Sequence, residues 1–326
     1  MWAISDKDYT LFKSLVSMTQ KDLKKAMAKY LKSKYEIVIN KKEYLVAIGN
    51  VPIALVAHLD TVYSAPVQDL FYDKEHTTFW SPDGLGADDR AGIFAIIKLI
   101  RMGLRPSIIL TTDEEIGAEG AIALSAKECP IPDLKYLIEL DRQGKDDCVF
   151  YSCNNTEFQK YIESFGFKTR RGTFSDISIL MPRWKVCGVN LSVGYYDEHS
   201  YRERLNIKQT YDTITKVAIM LQEDAASIPD FKYYEEPSKY HSFFKSRYAC
   251  SNCFEETPVT ELFPVTTGLK TTEYACIDCI TKNQNIHWCW YCGNAFKKTL
   301  ANGEMPICYK CQEEECTKTL KEISKK

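Results

Sequence analysis

Histidine and carboxylate side chains recur in five short segments: His58 and Asp60 in AHLDTV, Asp88 in GLGADDRAG, Glu114 and Glu115 in TTDEEIG, Asp141 in IELD, and His199 in GYYDEHS. Imidazoles and carboxylates are ligands for zinc and related divalent cations, and two such ions side by side activate water for attack on an amide. The predicted chemistry is therefore two-metal hydrolysis. Each acidic pair alone also reads as charge at a helix N-terminus, where the dipole favours it. Three observations weigh against that plainer reading. Neighbouring carboxylates repel unless a cation or proton separates them. Glycines surround both pairs (Gly84, Gly86, Gly117, Gly120) and permit close backbone approach. Five such segments in order are far harder to obtain by accident than one.

The elements that must position these residues are legible as apolar runs. IALVAHLD, SIILTTDEE, YLIELD and VNLSVGYY read as buried parallel strands, so the candidate ligands collect at strand carboxyl ends, where open α/β sheets bind ligands. Side chains alternate along a strand, which puts His58 and Asp60 on one side. One can then bind a metal through an imidazole nitrogen while the other accepts a hydrogen bond from the opposite ring nitrogen. Residues from about Asp8 to Lys34 read as one amphipathic helix, with Leu11, Phe12, Leu15, Val16, Leu23 and Met27 near one face. YEIVI and YLVAI read as short strands split by a turn, and a helix carrying Ile93, Phe94, Ile96, Ile97 and Ile100 follows GLGA and stops at Gly103. The predicted fold class is α/β, a mainly parallel mixed sheet with helices on both faces, plus a small cysteine-rich zinc-ribbon domain.

Composition bounds the partners. The formal charge of −2 over 326 residues gives no electrostatic reason for a polyanion or an anionic membrane. No run of about 18 apolar residues occurs, and the charged start MWAISDKDYTLFK lacks the apolar stretch of a secretory signal. A cytoplasmic protein with no membrane partner is expected. Between Gln222 and about Lys245 the apolar period fades into acidic, aromatic and proline-bearing sequence, which divides the chain into a catalytic domain at 1–235, a linker at 236–248 and a cysteine module at 249–326.

Taken together, the HxD pair, GADDRAG, DEEIG, the later histidine and the GTFSDISI segment resemble the co-catalytic zinc exopeptidases, among them peptidase T and the glutamyl-type and tetrahedral aminopeptidases. The resemblance covers roughly residues 8 to 222. It implies that Asp88 bridges two metals, that His58 and Asp141 bind one and Glu115 and His199 the other, that Glu114 is the general base, and that Asp60 supports His58. It also implies a cis bond between Asp88 and Asp89. Glu139, two residues before Asp141 on the same strand face, is the competing ligand, and Asp141 is preferred for its place at the strand end. Glu203 reads either as a support for His199 or as a surface charge, and Asp176 as a residue that organises a loop. Relatives insert a lid or dimerisation domain, yet only 57 residues lie between Asp141 and His199 and 29 between His58 and Asp88. Glutaminyl cyclases share the fold but lack the first histidine, so His58 argues for two metals and hydrolysis.

Beyond the linker, Cys250 and Cys253 precede Cys276 and Cys279 by 22 residues, and Cys289 and Cys292 precede Cys308 and Cys311 by 15. Two CxxC pairs close a tetrahedral zinc shell with no position open for chemistry, so two structural zinc ions are expected. Sequential pairing is simpler than interleaved pairing, and Cys316 and His287 are spare. From Lys245 to Lys326 there are 11 Lys and Arg against 10 Asp and Glu, which lacks the basic excess of a phosphate-binding surface. Protein contact or self-association through this module is the stronger expectation.

The leading expectation is a di-zinc metallopeptidase, an aminopeptidase or small-peptide hydrolase using a metal-bridging hydroxide with a Glu general base, with cobalt or manganese as alternative catalytic ions. A deacylase acting on N-acyl amino acids is the first alternative, because the same metal pair attacks any amide. A zinc-ribbon protein- or nucleic-acid-binding protein with a scaffold hydrolase domain is the second.

Overall fold

The computed structural model describes residues 4–234 except 76 and 173, and, beyond them, residues 247–250, 253, 256–258, 262–268, 271–282, 286–288 and 295–297. The chain divides into two compact units, Met1–Glu236 and Pro237–Lys326. No helix among the described residues is long and apolar enough to cross a membrane.

The first unit is built on an eight-stranded sheet of order β1-β2-β6-β3-β7-β10-β8-β9. Its centre is parallel: β3 (Val51–His58) pairs with β6 (Pro106–Thr111) and β7 (Tyr136–Arg142), and β7 with β10 (Cys187–Ser192). Every residue of β6 and β10 is buried, as expected of strands covered on both faces. Antiparallel strands flank this centre, β1 (Ile37–Asn40) and β2 (Tyr44–Ile48) on one side and β8 (Asp147–Val149) on the other, where β9 (Lys168–Thr169) adds the edge. The chain leaves β3 for β6 on one side and then returns across it to β7. Right-handed crossovers in opposite directions put α3 (Ala87–Arg101) and α4 (Glu119–Ser125) on opposite faces. The point of reversal, beside β3, opens a crevice at the strand ends.

Helix α3 packs on β3 and β7, with α1 (Asp6–Val16) and α7 (Ile207–Gln222) against it, while α4 packs on α6 (Asp176–Trp184). A β-carbon at Gly92 of α3 would lie 2.2 Å from the Leu140 carbonyl oxygen, so the glycine lets the helix that carries Asp88 approach the strand that carries Asp141. Phe12 of α1 stacks on Phe79 at 5.5 Å and meets Phe94 of α3 edge-on at 5.9 Å. Helix α5 (Thr156–Ser164) packs near the sheet edge beside β9. A small antiparallel sheet, β11 (Tyr195–Tyr196), β12 (Arg204–Asn206), β5 (Thr78–Trp80) and β4 (Phe71–Tyr72), frames the loop that holds His199.

The single helix expected from about Asp8 to Lys34 is two. Helix α1 stops at Val16, and Thr19 caps α2 (Gln20–Lys32) by accepting a hydrogen bond from Asp22 N at 3.2 Å. The interruption lets Ser17 donate to the Val67 carbonyl and Val67 N donate to the Val16 carbonyl, tying the loop after β3 to the helix junction. Local capping and a distant partner together outweigh continuous amphipathic spacing here.

In the second unit, β13 (Arg247–Ala249) pairs with β14 (Glu256–Pro258), and β15 (Leu262–Gly268), β16 (Thr271–Cys276), β17 (Ile286–Trp288) and β18 (Ala295–Lys297) form a sheet of order β16-β15-β18-β17, with α8 (Ile277–Lys282) following β16. β13 begins inside the segment read from sequence as linker.

Asp8 of α1 accepts from Lys98 Nζ of α3 at 2.7 Å and from the Tyr211 hydroxyl of α7, joining three helices. Burial works against the Asp8 carboxylate, but the Lys98 and Tyr211 contacts outweigh it and hold its pKa below the usual range. The stabilisation is therefore full above the unfolded value of about 4 and fades as pH falls through the lower, folded one. We expect Asp8→Ala to lower unfolding free energy by about 2 kcal/mol at pH 7, read from denaturant midpoints at constant slope. The difference from wild type should vanish in strong acid.

Candidate active site

The five chemistry-bearing segments converge at the carboxyl edge of the parallel strands. His58 ends β3, Asp141 lies near the end of β7, Asp88 sits in the first turn of α3, Glu114 and Glu115 occupy the turn after β6, and His199 lies between β11 and β12. His58 is buried with Nδ1 3.4 Å from Asp60 Oδ1 and Nε2 3.4 Å from Asp141 Oδ1. The other Asp60 oxygen accepts from Glu115 N at 3.0 Å. Burial opposes ionisation of Asp60, but His58 and the backbone N–H groups of Glu115 and Glu114 prevail and hold its carboxyl low. One carboxylate thus orients the imidazole and the glutamate turn together.

His199 Nε2 stands 2.8 Å from Asp88 Oδ2 and 2.8 Å from Glu115 Oε1. The candidate ligand atoms of Asp88, Glu115 and His199 lie within 4.8 Å of one another, as do those of His58, Glu114 and Glu115. Glu115 is common to both groups. Hydrogen bonds from the imidazolium to Asp88 and Glu115 push the His199 pKa up to about 11. Burial, with the charges of Asp141, Asp176 and Glu115, pushes Glu114 up to about 8 against the pull of His58. Nitrogen and oxygen donors at this spacing are a donor set that fits two divalent cations.

Asp141, rather than Glu139, is the carboxylate beside His58 Nε2. Its Oδ2 accepts from Ser175 Oγ at 3.1 Å, and its backbone exchanges hydrogen bonds with the Asn190 amide of β10 at 3.0 and 3.2 Å. Glu139 lies deeper on the same strand, with neither oxygen hydrogen-bonded, and burial keeps it protonated well above the usual range. Asp176, the first residue of α6, accepts from the Thr111 hydroxyl of β6, and burial raises it to about 7.

Glu203 neither supports His199 directly nor sits on the surface. It is fully buried and caps α3: Oε2 accepts from Leu85 N at 3.3 Å and Gly86 N at 2.8 Å, Oε1 from Ala87 N at 2.6 Å and Asp88 N at 3.2 Å. A carboxylate 115 positions away in the chain thereby satisfies the N–H groups that no side chain at the N-cap satisfies. Among the described residues no peptide bond is cis, so the Asp88-Asp89 bond is trans. Both residues lie in the first turn of α3, a trans-bonded helix anchored by Glu203.

Arg90 is a structural member of the site that sequence reading missed. Its buried guanidinium donates to the Leu59 carbonyl at 2.6 Å, the Asp60 carbonyl at 3.2 Å and the Met18 carbonyl at 3.3 Å, fixing the turn after His58 against the α1–α2 junction. Arginine inside GADDRAG was a visible signal, since so polar a side chain two residues after a ligand needs buried acceptors.

In the second unit Cys250, Cys253, Cys276 and Cys279 bring their sulfurs within 4.8 Å of one another, with Cys253 and Cys276 at 4.0 Å and Cys276 N donating to Cys250 Sγ at 3.3 Å. Four thiols gathered this way suit one tetrahedral ion. Cys289, Cys292, Cys308 and Cys311 lie outside the described residues.

No family model matches the chain, and no curated protein does. Solved structures do. The aminopeptidase PepT from Bacillus cereus superposes with a TM-score of 0.51 at 16% identity, covering 68% of this chain and 98% of that one. A tripeptidase from Staphylococcus aureus gives 0.51 at 15% over 68% and 100%. A TET aminopeptidase from a marine-sediment thaumarchaeote gives 0.55 at 13% over 67% and 97%. At such identities the likeness is one of fold, and the chain has the fold of these aminopeptidases.

Two measurements test the geometry. If the cluster holds divalent cations, Glu203→Ala should weaken their binding by about tenfold or more although Glu203 faces backbone N–H groups, with unchanged affinity in a direct titration with zinc as the contrary result. The contacts to Asp88 and Glu115 raise the His199 pKa and favour a proton on Nε2, which a cation taking that nitrogen would displace. Zinc uptake should release about one proton or more and strengthen as pH rises. Calorimetry in buffers of different ionisation heat counts those protons, and none released would remove His199 from the ligand set.

Proposed function

We propose that this chain is a two-zinc metallopeptidase of the aminopeptidase or small-peptide hydrolase type. The observation that carries the reading is the pairing at the strand ends: His58 with Asp141, and Asp88 and Glu115 with His199, with Glu114 beside His58 and Glu115. The aminopeptidase fold supports it. Two divalent cations, one held by His58 and Asp141, the other by Glu115 and His199, with Asp88 shared, would polarise the scissile carbonyl and make water acidic enough to lose a proton near neutral pH. Glu114 takes a proton from the attacking water at a carboxylate oxygen and hands it to the leaving amine nitrogen. Asp60 keeps the His58 Nδ1 proton in place so that Nε2 stays a donor to a cation. Zinc on Cys250, Cys253, Cys276 and Cys279 is structural in this reading, as is a second zinc on Cys289, Cys292, Cys308 and Cys311. Free thiols at Cys129, Cys148, Cys153 and Cys187 fit a reducing, cytoplasmic compartment.

Purified full-length chain loaded with zinc, cobalt or manganese should hydrolyse unblocked dipeptides, and chelation should abolish this. Hydrolysis of N-acyl amino acids alone would replace the peptidase reading with a deacylase. Glu114→Gln should keep its metal content and lose about two orders of magnitude or more in turnover. His58→Ala and Asp88→Ala should lose metal as well as rate, and full metal occupancy by mass spectrometry in both would sink the ligand assignment.

A further inference from the structure

A cavity of about 460 Å³ opens beside the candidate metal ligands, with Asp60 and Glu115 in its wall. Its volume is that of a small-molecule site. The remaining surface is mainly apolar: Met18 from the α1–α2 junction, Val62, Tyr63, Ala65 and Pro66 from the loop after β3, and Ile116 directly after Glu115. Val62 is 44% and Ile116 72% exposed, a cost in free water for two branched aliphatic side chains beside a cluster of carboxylates.

The cavity is built rather than incidental. A β-carbon at Gly84 would fall 2.0 Å from the Tyr63 ring, so the glycine of GLGA makes the room in which that ring lies. The Tyr63 hydroxyl then donates to the Ser200 carbonyl at 2.9 Å, one residue beyond His199. Arg90 and the Ser17–Val67 contact hold the same loop from behind. The one acidic side chain on the far wall, Asp113, is clasped by Gln20: Gln20 Nε2 donates to Asp113 Oδ1 at 2.9 Å, and Asp113 N donates to Gln20 Oε1 at 3.1 Å. That clasp engages the carboxylate locally and leaves aliphatic carbon as the main surface on offer.

We propose that this cavity is the specificity pocket for an apolar side chain, aliphatic or aromatic, on one of the two substrate residues that flank the scissile amide, with Val62 and Ile116 as the residues that set the preference. The proposal rests on the peptidase reading and adds the substrate class to it. An apolar side chain seated there covers Val62 and Ile116 and removes their surface from water, which is what distinguishes such a substrate from one with a charged side chain.

The test uses the full-length, zinc-loaded chain on two dipeptide series, X-Ala and Ala-X, with X as Leu, Phe, Lys or Glu, together with calorimetric binding of Leu-Leu, Lys-Lys and Glu-Glu to the Glu114→Gln variant. Apolar X should be favoured by about tenfold or more in kcat/KM in one series, and Leu-Leu should bind the variant more tightly than the charged dipeptides. Val62→Asp and, separately, Ile116→Lys should each cut the apolar preference about tenfold while zinc content stays at the wild-type level. Because Ile116 adjoins Glu115, Val62→Asp is the arm that decides if Ile116→Lys loses metal. Hydrolysis with no apolar preference in either series, or a preference untouched by Val62→Asp, overturns this inference and leaves the peptidase reading standing. If wild-type chain hydrolyses no dipeptide, yet the Glu114→Gln variant binds Leu-Leu selectively and Val62→Asp abolishes that binding, the pocket stands and the peptidase reading falls.

Discussion

Carboxylates crowded at the ends of parallel strands repel one another, and the surrounding structure is arranged to hold them there. Asp88, Glu114, Glu115 and Asp141 come from three different elements yet face two imidazoles within a few ångströms. Without compensation such a group would disperse or take up protons. Protons do part of that work through His199 and Glu114, and backbone donors do the rest. The Asp60 carboxylate draws in the N–H of Glu115, and Glu203 draws in those of residues 85 to 88. Each contact fixes a segment that would otherwise be pushed outward.

Two further carboxyl groups lie buried behind these residues. Glu139 and Asp176 are wholly buried, and desolvation keeps them protonated to higher pH than ordinary carboxylic acids. Ser175 and Thr111 link them to Asp141 and to β6. The rigidity of this arrangement comes from close packing, since Gly92 lets α3 sit directly on the strand leading to Asp141.

The second unit solves a different problem. Its described core is small, with Val265, Ala275, Ile280 and Phe296 among the few buried apolar side chains, and Cys250 is buried beside them. A unit of this size gains little from hydrophobic burial alone, and four sulfurs drawn to one point offer an ion as the remaining tie between β13, β14 and β16.

The parallel strands and the helix after GLGA were legible in the sequence because each is a local signal, and the candidate site residues could be named there because their motifs have short spacings at strand ends. The nearness of His58 and Asp60 was legible from their two-residue spacing, although β3 ends at His58 and Asp60 lies just beyond it. What local pattern could not supply was the identity of partners far away in the chain. The break between α1 and α2 depends on Val67, the burial of Glu203 on residues 85 to 88, and the stance of Arg90 on carbonyls at Met18, Leu59 and Asp60. The same holds for Asp141 over Glu139, decided by which side chain reaches His58 once β3 and β7 are paired in register. The trans bond at Asp88 belongs with these, because the helix start there is fixed by a cap from across the fold. The sequence by itself determined which residues are candidates for chemistry, because side-chain type and strand period are properties of short segments. The tertiary structure alone decided which of them meet and what holds them, because hydrogen bonds between segments 50 and 55 residues apart exist only after the sheet has formed.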